Sequence, residues 1–152
     1  MTHDKTPYTK KGNAFTNLVL EIMRVHGMIR AHGQRLTKPH ELTVTRWAVL
    51  GAIEKAPLTA SQISRRMGVS RQNVQTVVNA MRDERLVELR KNPDHARAPL
   101  VAITHKAARR LTALHIDQRV WANEQGSTLA LREMTTCLET LKKLFGILDD
   151  SL

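Results

Sequence analysis

Between Thr59 and Met81 the chain carries a run of helix start and stop signals that admits few folds. Thr59 is followed three residues later by Gln62, the spacing at which the threonine hydroxyl and the glutamine side chain satisfy each other's backbone N–H groups at a helix start. The helix so opened holds Ile63 and Met67 and meets Gly68, which takes up the left-handed conformation of a helix C-terminus without a Cβ clash. Ser70 then caps another helix at once. In that helix Val74, Val77, Val78 and Met81 fall at i, i+3, i+4 and i+7, one apolar stripe. Arg71, Gln72, Asn73, Gln75, Thr76 and Asn79 are left mostly on the other side. Two short helices joined by Gly68-Val69-Ser70 make a helix-turn-helix.

The flanking segments fit around that motif. After Arg85 the period changes: Val87 and Leu89 alternate with Glu88 and Arg90, Asn92-Pro93-Asp94 turns the chain, and Leu100 to Ile103 runs apolar. This predicts a β-hairpin, or wing. Upstream, Phe15, Leu18, Val19, Ile22, Met23 and Ile29 recur mostly at helical steps, which predicts a long first helix. Gly27 inside it calls for a kink or a close helix contact. Leu36 to Leu42 is a connector, and Thr43 or Thr45 caps a second helix containing Trp47, Val49, Leu50 and Ile53 before Pro57. Thr104 caps a fifth helix through about Ala122, and Gly126-Ser127 separates it from a sixth. In the sixth, Met134, Cys137, Leu138, Leu141, Leu144, Phe145 and Leu148 form an apolar stripe longer than one small core requires, so a partner chain is expected to cover it. The interface residues expected from the two terminal stripes are Phe15, Leu18, Ile22, Leu141, Leu144 and Phe145. With 152 residues and 41% hydrophobic content, the reading is a single domain over 1–152, with dimerisation helices at 13–35 and 105–150 and a winged lobe at 43–104.

Charge points to the partner. The formal net charge is +10, and residues 61–110 hold eleven of the 24 Lys and Arg against four of the 14 acidic residues. A basic face next to a helix-turn-helix suits duplex DNA. Gln72, Asn73 and Thr76 are side chains that hydrogen-bond base edges, and the N-terminus of their helix, with the Ser70 hydroxyl, can face phosphate. The expected DNA-contacting set is Ser70, Arg71, Gln72, Asn73, Gln75, Thr76 and Asn79 on the helix with Arg90, Lys91 and Arg97 on the wing. The rival from another class is a winged helix that meets an acidic partner protein.

Six stretches in this order resemble the MarR family of bacterial transcriptional regulators: Leu42 to Leu50, Leu58 to Ile63, Val69 to Val74, Leu86 to Arg90, Asn92-Pro93 and Leu100 to Thr104. The resemblance covers nearly the whole chain. It implies a mainly α winged helix-turn-helix fold, a homodimer built from the N- and C-terminal helices, and a pseudopalindromic duplex site under transcriptional control, most often repression. It also implies a small-molecule pocket between lobe and dimer base. Two positions depart from the family pattern. At the wing, where Asp, one residue and Arg are usual, this chain has His95-Ala96-Arg97 with its acid one place early at Asp94, and Arg46 stands where Gln is common. The family role implied for Arg97 is entry into the minor groove.

Other classes find little support. Successive glycines are never close enough for G-x-G-x-x-G, no phosphate-binding or nucleophile-elbow motif occurs, and the seven histidines form no metal-ligand spacing. No enzyme, metal or cofactor is therefore expected. The single Cys137 excludes an intrachain disulfide and lies on the apolar stripe, which favours packing over redox sensing. The polar N-terminus and the absence of a long apolar run favour a cytoplasmic protein with no membrane partner. His26 and Arg30 share a face of the first helix, and Trp47 could approach them. Such a cluster suits an anionic aromatic effector.

Overall fold

The computed structural model describes residues 7–149, which divide into two compact units, one ending at Leu111 and the other starting at Thr112. In the first unit, α1 (Lys10–Thr37) begins where the Thr9 hydroxyl accepts from the Gly12 N–H at 3.0 Å. It therefore starts before Phe15 and its apolar stripe. Gly27 lies in unbroken helix, and a Cβ there would meet, among the described residues, nothing within 4 Å beyond its chain neighbours and its own helix backbone. The close approach is at Gly33 instead, where a Cβ would lie 3.0 Å from Val44 Cγ2. The expected connector is partly helix: α1 runs on to Thr37, and a 3₁₀ turn at Lys38–His40 leads to Glu41 at φ 53°. Thr43, not Thr45, caps α2 (Val44–Ile53), accepting from the Arg46 N–H at 3.3 Å.

The helix-turn-helix forms as its signals dictate. Thr59 ends a two-residue strand, β1 (Leu58–Thr59), and caps α3 (Ala60–Met67). The Thr59 N–H donates to Gln62 Oε1 at 2.8 Å and the Gln62 N–H to Thr59 Oγ1 at 3.3 Å, the reciprocal pair. Gly68 closes α3 at φ 64°, and Ser70 opens α4 (Arg71–Asp83) by accepting from the Asn73 N–H at 3.2 Å. α4 ends in a Schellman turn, with Leu86 N–H donating to Met81 O at 2.8 Å and Arg85 N–H to Arg82 O at 2.9 Å. Its left-handed residue is Arg85, at φ 58°.

The wing is β2 (Val87–Arg90) and β3 (Leu100–Ile103), antiparallel with Val87 opposite Ile103 and Arg90 opposite Leu100; β1 adds to the other edge of β3, giving the order β1-β3-β2. Thr104 then caps α5 (His105–Gly126), accepting from the Ala107 N–H at 3.3 Å. That helix runs one turn past Ala122. The core of this unit gathers Val49, Leu50 and Ile53 of α2, Ile63 of α3, Val74, Val78 and Met81 of α4, and Leu86, Val87 and Val101 around the sheet, all at most 2% exposed. Val77, expected in the stripe, is half-buried. Each such side chain taken fully out of water contributes about 1.5–3 kcal/mol, which fixes α4 against the lobe by its apolar stripe and so fixes which face it shows to solvent.

The second unit holds the end of α5 and α6 (Leu131–Asp149), where Glu133 Oε2 reaches back to accept from the Ala130 N–H at 3.1 Å. Among its described residues Leu114 alone is buried. Cys137, expected to pack, is exposed in the chain.

Candidate nucleic-acid interface

Burial of Val74, Val78 and Met81 turns the opposite face of α4 outward, and Ser70, Arg71, Gln72, Asn73, Gln75, Thr76 and Asn79 are all exposed. These residues are not equally ready to bind. The Thr76 hydroxyl donates to Gln72 O at 3.1 Å within the helix, so its hydrogen is already committed to the backbone. Gln75 Nε2 donates to Asn79 Oδ1 at 3.1 Å, one turn along. That pairing uses one of the two Gln75 amide hydrogens and one lone pair of Asn79 Oδ1, and ties the two amides to each other. Among the described residues nothing engages the side-chain amides of Gln72 and Asn73. Each therefore keeps both a donor and an acceptor, the combination that reads adenine in a major groove.

Beyond β2 the wing loop spans 91–99, long for a hairpin. It is closed by Asn92, whose Nδ2 donates to Ala98 O at 2.8 Å and whose Oδ1 accepts from the Asp94 N–H at 3.1 Å. The Ala98 N–H donates to His95 O at 3.0 Å. Arg97 is exposed and, among the described residues, forms no ion pair; Asp94 does not reach it. Arg90 is paired with Glu88 at 2.7 Å on the solvent face of β2, whereas Lys91 is exposed beside the loop. Between the wing and α3 lies an open cleft of about 550 Å³ whose polar wall includes Gln62, Arg65, Asn92 and His95. Arg65 and Asn92 were outside the expected set. The capping box marks only the start of α3 and not its exposed side, and Asn92 before Pro93 signals a turn without showing what its amide holds.

The basic cluster separates into two groups. Arg66 Nη1 donates to Ala52 O at the end of α2, Lys106 Nζ donates to Glu84 O at 3.0 Å, and Arg110 pairs with Glu41. These cations hold the lobe together. Arg46 belongs with them: its guanidinium donates to Glu84 Oε1 at the C-terminal cap of α4, tying the start of α2 to the end of the outward-facing helix. A glutamine amide has no charge to offer there, which accounts for the arginine. Arg65, Arg71, Lys91 and Arg97 remain exposed on α3, α4 and the wing. Arg82, Arg85, Arg90 and Arg109 of the same cluster are exposed as well, Arg82 beside Asp83 and Arg90 beside Glu88.

Of the expected effector cluster, Arg30 lines a cleft of about 350 Å³ with Lys38, Leu42, Thr43, Val44 and others, but His26 and Trp47 do not. His26 is exposed and Trp47 half-buried. The expected interface residues Phe15, Leu18, Leu141 and Phe145 are 46%, 39%, 38% and 58% exposed in the chain, with Ile22 and Leu144 half-buried. Among the described residues no group of three His, Cys, Asp or Glu side chains could hold a metal, and no helix is long and apolar enough to cross a membrane.

Residues 40–98, from the 3₁₀ turn to the wing loop, match the sequence profile of the MarR family. An uncharacterised protein of Mycobacterium tuberculosis is 37% identical over 97 residues, 64% of this chain and 68% of that protein. Among solved structures, AbsC, a MarR family transcriptional regulator from Streptomyces coelicolor, superposes with a TM-score of 0.79 at 14% identity over 96% of this chain and 99% of its own. CouR from Rhodococcus jostii, bound to p-coumaroyl-CoA, gives 0.75 at 17% identity over 84% and 90%.

Proposed function

The chain belongs to the MarR family, whose members are transcription regulators and not enzymes, and from that premise we propose that it is a cytoplasmic homodimeric repressor that binds a pseudopalindromic duplex site. In this reading α4 lies in the major groove with Ser70 to Asn79 toward the bases and phosphates, and Arg97 of each wing enters an adjacent minor groove. The observation that carries it is the pair of unengaged amides, Gln72 and Asn73, on an outward face ringed by the exposed cations Arg65, Arg71, Lys91 and Arg97. Lys91 and Arg90 then meet the backbone, Arg90 after exchanging Glu88 for phosphate.

The homodimer rests on the apolar faces of α1 and α6, which place Phe15, Leu18, Leu141 and Phe145 in water when the chain is alone. Lobe and terminal helices act as one functional domain. Release from DNA is assigned to an anionic aromatic effector at the Arg30 cleft, where Lys38 supplies a second cation. The p-coumaroyl-CoA held by CouR, a neighbour in fold, supports that class of ligand.

The test is selection of duplexes from a random pool. A repressor of this design enriches an inverted repeat, binds it far more tightly than random duplex, and has a light-scattering mass of two chains. Failure to enrich any sequence, with equal binding to selected and random duplex, would overturn the reading in favour of a module for an acidic protein partner.

A further inference from the structure

We propose that Asn92 is the positioning residue for the wing cation Arg97, a role that rests on the DNA-binding reading above. The loop between Arg90 and Leu100 would otherwise be free to sample many conformations, and ordering it on contact would weaken binding. Asn92 removes that freedom with one side chain. Its amide N–H spans the loop to Ala98 O at 2.8 Å while its amide oxygen holds the Asp94 N–H at 3.1 Å, so both arms of the loop hang from one half-buried amide.

The residue so pinned is the one after Arg97. Ala98 is held on both sides, its N–H by His95 O at 3.0 Å and its carbonyl by Asn92. The backbone leaving Arg97 is therefore fixed, whereas the guanidinium, with no ion pair among the described residues, stays exposed. A carboxylate placed to orient Arg97 would also neutralise part of its attraction to phosphate. An uncharged amide orders the loop and leaves the full cation for the groove.

Three proteins decide the matter: Asn92→Ala, Arg97→Ala and the double variant, each as the full chain, checked for native circular dichroism and thermal midpoint. The probes are a labelled random-sequence duplex and, without DNA, tryptic cleavage at the Arg97–Ala98 bond. Asn92→Ala should cleave faster at Arg97 than the unmodified protein and bind duplex about three- to tenfold more weakly, the factor expected for ordering a side chain and loop on contact. The slope of log K against log salt should be unchanged, because the same phosphates are still met. In the Arg97→Ala background the Asn92 substitution should cost no further affinity, which a merely structural loss would not reproduce.

Unchanged cleavage overturns the proposal without reference to DNA, and so do additive losses in the double variant. If the unmodified protein binds no duplex while Asn92→Ala is cleaved faster, the DNA-binding reading falls and takes the positioning role with it. Should Asn92→Ala fail to fold, Asn92→Ser offers an uncharged acceptor to the Asp94 N–H, is too short to reach Ala98 O, and is read by the same cleavage and cycle.

Discussion

The lobe from α2 to β3 and the terminal helices α1 and α6 are built from similar fractions of apolar residues and use them in opposite ways. In the lobe, Leu50, Ile53, Ile63, Val74, Val78 and Met81 are at most 1% exposed. In α6 no described residue is buried, and Leu138, Phe145 and Ile147 are 52%, 58% and 65% exposed; in α1 the single buried residue is Thr37. A soluble chain rarely leaves two long amphipathic helices uncovered. The difference teaches that the lobe, with Ala107 and Leu111 of α5 closing its core, is finished within the chain, whereas the terminal helices keep an apolar face that the proposed homodimer would cover.

The largest effect should come from attacking the unfinished half. Replacing Leu141 and Leu144 together with Asp should convert the proposed dimer to monomer at micromolar concentration and reduce binding to a two-site duplex by more than an order of magnitude, since the two lobes would no longer share one effective concentration. The lobe should remain folded because α6 contributes no buried residue. Light scattering and the far-ultraviolet spectrum read both outcomes. A variant that is monomeric and unfolded would show that the lobe is not finished alone.

Attacking the finished half should instead cost stability. Ile63, fully buried on α3, which packs against α2 and α4, should lose about 2–5 kcal/mol as Ile63→Ala, measured by denaturant unfolding. An equivalent change at Ile147, 65% exposed, should stay within about 0.5 kcal/mol for the monomeric variant. Similar losses at the two positions would erase the contrast.

What could be read from the sequence follows the same division. Local signals in the lobe were legible: the Thr59 and Gln62 capping box, the Gly68 stop, the Ser70 cap and the Thr104 cap each act within four residues. So was the solvent face of α4, because the Val74 to Met81 stripe fixes it. β1 was not, since two residues carry no period and Leu58–Thr59 is a strand only through its pairing with β3. The tether of Arg46 to Glu84 and that of Arg110 to Glu41 join residues 38 and 69 positions apart, beyond any local pattern. Gly27 drew attention as an interruption of α1, yet the packing constraint is at Gly33, which the periodicity did not mark. The site residues on α4 were legible by type, but which amides are free depends on the Gln75 to Asn79 pairing, a rotamer choice.

A third prediction sharpens the comparison at the exposed face. Gln72→Ala and Asn73→Ala should each cost about 1–3 kcal/mol of binding to a selected duplex and much less on random duplex, because their amides are free to meet base edges. Gln75→Ala should cost less than either, since one of its two amide hydrogens is already committed to Asn79. Equal losses on both duplexes, read by competition at one salt concentration, would assign these side chains to the backbone and not to the bases.

The smallest effect tests how the finished lobe tolerates strain. Among the described residues two that are not glycine lie in the left-handed region, Glu41 at φ 53° and Arg85 at φ 58°, and each bears a penalty that glycine would not. They differ in what the side chain returns. Glu41 pairs with Arg110 and so offsets its backbone cost, whereas the Arg85 side chain has no partner among the described residues and contributes only its carbonyl, which accepts from Thr104 Oγ1 at 2.8 Å. Glycine at 85 keeps that carbonyl and the Schellman turn of α4. Relief of the left-handed strain, less the entropy glycine adds to the unfolded chain, leaves a net gain of up to about 1 kcal/mol for Arg85→Gly. Glu41→Gly gains the same backbone relief but loses the ion pair, so its net change should be smaller and should depend on salt. Denaturant midpoints for the two variants, with Arg85→Ala as the control that removes the side chain and keeps the strain, separate the terms. A midpoint that falls in Arg85→Gly would mean that the arginine side chain is held after all, and that the turn after α4 draws on a contact beyond its backbone.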